Sequence, residues 1–265
     1  MEGKLIMHDL SHLTGRTALV TGASTGIGAA FARELARRGA DLVLVARSDA
    51  TLKVMAESLT ASYGVRVTAV PLDLSDPHAS ARLYEQAGGQ DIDFLVNNAG
   101  VSHRGDAAEA DPGRLAALVD LNVQAVMGTT LRFLPGMRAR GRGVIVNVAS
   151  TSAFMPIPYL AAYAASKAFV RSFTQAVSAE NAGTGVRILA LCPGLTDTPM
   201  TAGPNIAGAG KKRAPEQVVA TAFRTLATRK SSVVDGGRNA LLARVFSQRL
   251  PESFVLSVGR RLARP

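Results

Sequence analysis

The sequence predicts an α/β fold in which a doubly wound parallel sheet is flanked by helices on both faces, and three observations carry that expectation. Short aliphatic runs recur without polar alternation, as strands buried on both faces do. Segments of helical period lie between them. A glycine-rich turn follows the first run and opens a helix. At 265 residues and 47% hydrophobic, with a mean hydropathy of +0.16, the chain has ample material for a core, which excludes a disordered protein.

Taken in order, the expected strands are 17–21, 41–46, 66–70, 92–97, 143–148 and 186–191. Phe31 and Leu35, four apart between Gly26 and Gly39, mark the first helix. Leu52, Met55, Leu59 and Tyr63 form one helical stripe opened by Ser48-Asp49. Further helices are expected from about Tyr159 to Asn181 and from about Pro215 to Thr228. Parallel strands need crossovers, and helical crossovers cover both faces of the sheet. Ligands in such sheets bind beyond the carboxyl ends of the strands, so the residues that follow each strand carry the chemistry.

After the first strand comes Gly22-Ala23-Ser24-Thr25-Gly26-Ile27-Gly28. Glycines there let the backbone turn sharply and approach a pyrophosphate, and the following helix offers unpaired N–H groups and the positive end of its dipole. Further on, Tyr163 and Lys167 are four apart and share a helix face. A nearby ammonium favours phenolate and is expected to lower the Tyr163 pKa toward the working range of a general acid–base. Ser150 closes the strand at 143–148, within reach of the same cleft.

This order of motifs, the spaced glycine loop, Ser150 and Tyr163-Ala164-Ala165-Ser166-Lys167, resembles the short-chain dehydrogenase/reductase family over about residues 13–200. The resemblance implies a single-domain Rossmann fold with a nicotinamide cofactor in the cleft, spanning 1–265. Asn122 would complete the family's Asn, Ser, Tyr, Lys pattern, although a buried helix kink could use the same side chain. Hydride would pass between the nicotinamide and a carbonyl carbon while Tyr163 exchanges the proton. Ser150 would hydrogen-bond the oxygen, Lys167 would tune Tyr163 and hold the ribose, and Asn122 would position a water.

The resemblance also implies the remaining cofactor residues. Leu74 and Asp73, after the third strand, resemble the pair that faces adenine, while Asp73 can equally cap the helix beyond it. Asn98, Ala99 and Gly100, after the fourth, resemble the turn that lines the cleft; the neighbouring Asn97 fits a structural role at least as well. Pro193 and Gly194 end the sixth strand. Thr198 resembles the residue that bonds the carboxamide, with Thr196 competing for the role. At the end of the second strand, where NAD-using relatives carry an acid, this chain has Ala46 followed by Arg47. A guanidinium fork suits a 2′-phosphate, so NADP(H) is favoured over NAD(H), although Ser24 and Thr25 stand where many NADP-preferring relatives carry a basic residue.

The charge has a narrower meaning than its total of +10 suggests. Residues 1–210 hold 18 Lys+Arg against 17 Asp+Glu, and residues 211–265 hold 12 against 3. A nucleic-acid groove through the balanced body is not expected. Residues 200–214 read as a flap over the substrate, with Lys211, Lys212 and Arg213 able to meet an acidic handle. Residues 238–265 form a basic extension of two short amphipathic helices split by Pro251. Packing on the core or a subunit is ranked ahead of contact with a membrane surface. The one cysteine, Cys192, reads as an inert thiol, and the four scattered histidines give no metal site. Phe154, Met155, Ile157, Pro158 and Tyr159 suggest an apolar carbonyl or alcohol substrate. A cytoplasmic homodimer or homotetramer without a transmembrane segment is expected. The rival readings are a catalytically idle cofactor-binding scaffold and a protein acting at a membrane surface through its tail.

Overall fold

Seven strands pair in parallel in the computed structural model, which describes residues 10–87, 92–202, 212–248 and 251–263. They are β1 (Thr17–Thr21), β2 (Asp41–Ala46), β3 (Val67–Pro71), β4 (Ile92–Asn97), β5 (Gly143–Val148), β6 (Val186–Cys192) and β7 (Ser232–Val234), in the order β3-β2-β1-β4-β5-β6-β7. The helices between and after them are α1 (Gly26–Arg37), α2 (Asp49–Tyr63), α3 (Ala79–Gln86), α4 (Pro112–Val119), α5 (Ala125–Ala139), α6 (Ala161–Glu180), α7 (Pro215–Leu226), α8 (Gly237–Gln248) and α9 (Glu252–Ala263). The winding reverses between β1 and β4, and that switch point opens the crevice.

The absence of polar alternation in the strands is explained by two core layers. Ala18, Val20, Leu42, Leu44, Phe94, Val96, Val144 and Val146 pack with Phe31, Leu35, Leu52, Leu59 and Phe223. Their neighbours Leu19, Val43, Val45, Leu95 and Ile145 pack on the opposite face with Leu83, Phe133, Leu134 and Met137. Under the crevice, polar groups cross the second layer. Asn97 Nδ2 donates to Asn147 Oδ1 at 2.9 Å and to Thr130 Oγ1 at 3.1 Å, and Asn97 Oδ1 accepts from Thr129 Oγ1 at 2.8 Å. Asn147 Nδ2 donates onward to Thr174 Oγ1 at 3.0 Å. All five residues are buried, and the bonds fix β4, β5, α5 and α6 in one register. Asn97 is thus a brace within the sheet.

The six expected strands are present, with β3 one residue later than expected. The short edge strand β7 and helices α3, α4 and α5 were not among the expected elements. Helix α6 begins at Ala161 because Tyr159 has φ +64°, outside the helical region. The tail forms two helices longer than its apolar runs suggested. Of the flap, residues 199–201 form a short 3-10 turn, while residues 203–211, including Lys211, lie outside the described residues, as does His8. No helix among the described residues is long and apolar enough to cross a membrane.

Candidate active site

A cleft of about 550 Å³ opens beyond the carboxyl ends of β1, β2, β4, β5 and β6. One end is built from backbone. Gly22 has φ +63°, and a Cβ there would stand 2.8 Å from Asn98 Nδ2. At Gly28 a Cβ would meet the Gly22 carbonyl oxygen at 2.2 Å, so the loop and α1 touch as only glycine allows. The side chain of Asn98 clamps this loop, donating to the carbonyls of Thr21 at 3.0 Å and Gly22 at 3.1 Å. Thr21 Oγ1 in turn accepts from the N–H groups of Asn98 and Ala99 at 3.0 and 3.1 Å. That hub role of Thr21 was not signalled by the motif spacing; a hydroxyl immediately before the glycines was the available clue.

Ser24, Thr25, Gly26 and Ile27 line the cleft, and the start of α1 carries no side-chain cap from Thr25. Its first-turn N–H groups therefore remain available to an anion. Arg47 and Ser48 line the far rim, with Ala46 rather than an acid closing β2. Asp73 and Leu74 lie across from them. Asp73 Oδ1 accepts from Ser75 N at 2.9 Å and Ser75 Oγ at 2.7 Å, and these bonds, aided by the nearby Arg47 charge, hold its carboxyl below the usual range. Asp76, rather than Asp73, holds the start of the next helix by accepting from His78 N at 2.7 Å. The crowded glycine cradle, the uncapped helix start and the guanidinium on the rim fit a dinucleotide bearing phosphates.

The other end is built from side chains. Ser150, Tyr163 and Lys167 all line the cleft. Ser150 Oγ accepts from Ser152 N at 3.1 Å, and the Ser150 hydroxyl lies near enough to the Tyr163 phenol to oppose its upward shift. Lys167, 5% exposed, donates from Nζ to the Val148 carbonyl at 2.9 Å. Its Nζ stands 5.9 Å from the Tyr163 ring centroid. The ionisation differs from the sequence expectation. Burial pushes the phenol up, the Ser150 hydroxyl only partly opposing it, while burial brings Lys167 down to about 8. Lys167 spends its bond on the backbone of β5, and desolvation of the phenol outweighs the ammonium's pull.

Asn122 and Gly28 do not line the cleft, and neither do Phe154, Met155, Ile157, Pro158 and Tyr159, which the sequence reading set around its substrate end. Asn122 is fully buried in a π-helical turn, Asp120–Gln124, between α4 and α5. Its Oδ1 accepts from Val101 N at 2.9 Å, and its Nδ2 donates to Val101 O at 2.9 Å and Ser166 Oγ at 3.1 Å. It thereby holds the turn Asn98-Ala99-Gly100 against Lys167. Pro193, Gly194, Thr196 and Thr198 form the wall after β6. Thr196 Oγ1 donates to Gly194 O at 3.0 Å, and the Thr198 methyl faces Gly26 across the cleft. Cys192 lies behind Ser150 with its thiol pushed up to about 11 by burial.

Two features escaped the sequence reading. Val101 and Leu121 add an apolar rim to the side-chain end of the cleft, beside Met200 of the expected flap. Below the wall, Arg213 Nε donates to the fully buried Asp235 Oδ2 at 2.5 Å, and Thr221 Oγ1 to Asp235 Oδ1 at 2.6 Å. Backbone bonds from Arg213 N to Leu195 O and from Asp197 N to Arg213 O, both 2.9 Å, join the feet of the flap. Their partners are far apart in sequence, which is why spacing gave no sign of them.

The short chain dehydrogenase family matches residues 16–206. The very-long-chain 3-oxoacyl-CoA reductase-A of Danio rerio is 32% identical over 269 residues, covering 96% of this chain and 80% of its own. A 7beta-hydroxysteroid dehydrogenase structure superposes with TM-score 0.86 at 28% identity, covering 94% of this chain and 98% of that one. A Sphingobium yanoikuyae short-chain dehydrogenase in complex with NADPH gives 0.78 at 30% identity, covering 89% and 98%. A Burkholderia phymatum relative in complex with NAD gives 0.79 at 27%, covering 88% and 93%. The chain belongs to the short-chain dehydrogenase/reductase family, nicotinamide-dependent oxidoreductases acting on CH–OH and C=O groups.

Proposed function

We propose that this chain is an NADP(H)-preferring reductase or dehydrogenase of apolar carbonyl compounds, including ketoacyl derivatives. The observation that carries the reaction is the meeting of Ser150, Tyr163 and Lys167 on one wall of the cleft. When bound, the nicotinamide supplies or accepts the hydride. Tyr163, kept neutral by burial, donates its proton to the carbonyl oxygen in the reducing direction. Ser150 stabilises the charge that develops on that oxygen through its hydroxyl. Lys167, charged below about pH 8, faces the ribose side and places positive charge behind the phenol. Asn122 has its amide committed to Val101 and Ser166, so its part is to brace the Gly100 turn against Lys167.

The cofactor preference is supported by Arg47 at the rim and by Ala46 in place of an acid. Gly22, Ser24, Thr25, Gly26, Ile27 and Gly28 hold the pyrophosphate, Asp73 and Leu74 the adenine, and Asn98, Ala99 and Gly100 the floor. Pro193, Gly194, Thr196 and Thr198 hold the nicotinamide. The substrate class is supported by the apolar rim of Val101, Leu121 and Met200, and by relatives named for 3-oxoacyl and steroid substrates. A cytoplasmic homo-oligomer of one Rossmann domain, with residues 200–214 as flap, completes the reading.

Steady-state kinetics with NADPH and NADH across ketones and acyl thioesters test it. The expected result is a preference for NADPH that falls by roughly 10-fold in Arg47→Ala, as loss of a charge-assisted phosphate bond should give. Equal use of both cofactors in wild type and variant would refute the preference.

A further inference from the structure

Ser150 follows β5 and caps the 3-10 turn Thr151–Phe154, and that turn fixes Ser150 in its place. Ser150 Oγ accepts from Ser152 N at 3.1 Å, and the Ser150 carbonyl accepts from Ala153 N at 3.0 Å. Thr151 N donates to the Pro193 carbonyl at 2.8 Å, which fastens the start of the turn to the wall after β6. The far end is held by side chains. Phe154 packs on the buried cluster of Val126, Ala149, Val170 and Cys192. The Arg171 guanidinium covers its ring, with Cζ 4.2 Å from the ring centroid.

Arg171 stands on α6, one turn beyond Lys167 and two beyond Tyr163. Its Nε is buried and makes no hydrogen bond among the described residues. An unpaired buried N–H costs free energy that an arginine turned to solvent would avoid. What the arrangement gains is a planar cation laid on an aromatic face. The guanidinium also reaches the region behind Ser150. Burial pushes the Cys192 thiol up, and the Arg171 charge is among the groups that hold it back. One helix therefore carries the phenol, the ammonium and the cation that pins the turn bearing Ser150.

We propose that Arg171 is a positioning residue for the reaction, its guanidinium holding the Phe154 end of the turn so that the Ser150 hydroxyl meets the carbonyl oxygen. The inference rests on the reading of Ser150 as the group that stabilises that oxygen. Arg171 does not line the cleft, so its effect passes through Phe154 and Ser150. A misplacement of about 1 Å in such a donor can cost on the order of 100-fold in rate. Loss of Arg171 should cost less, because the Pro193 bond still holds the start of the turn.

The test follows single-turnover NADPH oxidation with an apolar ketone in wild type, Arg171→Ala, Arg171→Lys, Phe154→Ala and Ser150→Ala. Arg171→Ala is also combined with Phe154→Ala and with Ser150→Ala. Alone, it should lower the rate by about 10-fold, with NADPH affinity within about 2-fold of wild type. Phe154→Ala should match it, and the two together should cost no more than either. Arg171→Lys keeps the charge but loses the flat face, and should fall between Arg171→Ala and wild type. In the Ser150→Ala background Arg171→Ala should cost less than about 2-fold, whereas a merely structural arginine would cost as much there as in wild type. An equal loss in both backgrounds overturns the proposal. So does a wild-type rate in Arg171→Ala, or the failure of both Arg171 variants to fold. Crystal structures of NADPH-bound wild type and Arg171→Ala give a reading independent of turnover. Ser150 Oγ should shift by about 0.5 Å or more, and an unmoved hydroxyl overturns the proposal. Absence of wild-type turnover with every ketone counts against the proposed reaction. In that case, or where Ser150→Ala is too slow to follow, the crystal structures decide the role of Arg171.

Discussion

The two ends of the cleft are made of different materials. The phosphate end is a backbone surface, in which Gly22 and Gly28 bring main chain against main chain and Asn98 locks the result. At the reacting end stand Ser150, Tyr163 and Lys167, side chains whose ionisation burial sets. The first end is governed by sterics and is insensitive to pH, and the second is governed by charge. Substitutions of volume should therefore separate cleanly from substitutions of proton inventory.

The largest effect on cofactor binding is expected from volume. Gly28→Val sets side-chain atoms where a Cβ alone already meets the Gly22 oxygen at 2.2 Å, with backbone on both sides of the clash. Cofactor binding, followed by fluorescence titration, should weaken by at least about 100-fold, since displacing the loop removes several N–H contacts to phosphate together. Retained affinity would break the contrast between the two ends.

At the charged end, Lys167→Met should lower kcat by about 100-fold with a much smaller change in cofactor affinity. The same variant reads the burial of the ammonium. A fall from 10.5 to about 8 means that the fold disfavours charged Lys167 by ~3 kcal/mol, a cost present in full below pH 8. Between pH 8 and 10.5 the unfolded chain binds more protons than the folded one, so wild-type stability is regained as pH rises. The stability of Lys167→Met relative to wild type should accordingly decline from pH 7 to pH 10, measured by denaturant midpoints. A difference that does not vary with pH would show that the ammonium is not desolvated.

The smallest effect is expected outside both ends, at the pair that joins the flap's feet. Asp235→Asn keeps the shape of the buried group and its bond with Thr221 but removes the charge facing Arg213. A loss of about 2 kcal/mol, read as a Tm lower by roughly 4–8 °C, should come with a modest rise in KM for cofactor through the Thr196–Thr198 wall. A change in kcat alone would contradict this placing.

Much of the arrangement was legible in the chain. Buried parallel strands advertise themselves as unbroken aliphatic runs, so β1 to β6 could be read directly, and the glycine loop, Tyr163 and Lys167 lie at local spacings. What could not be read was held by partners distant in sequence. Asn147 joins Asn97 to Thr174 only once three elements have packed, and Arg213 finds Asp235 across 22 residues. Helices α3 and α4 are only 8 residues long each, too short to repeat a stripe, and β7 is three residues long at the sheet edge. The direction of the Tyr163 shift was misjudged because spacing shows that an ammonium is near but not that burial outweighs it. Of the basic tail, α8 rests against the turn Thr151–Phe154 and α9 on Pro158, contacts its composition gave no sign of.

The central claim is that Tyr163 is the proton donor of a carbonyl reduction at the side-chain end of the cleft. It is tested most directly by single-turnover NADPH oxidation with a bulky apolar ketone in wild type and Tyr163→Phe, alongside NADPH titration of both. The account predicts a rate lower by at least about 1000-fold in Tyr163→Phe, with NADPH affinity within a few-fold of wild type. An equal rate in the two proteins would contradict it.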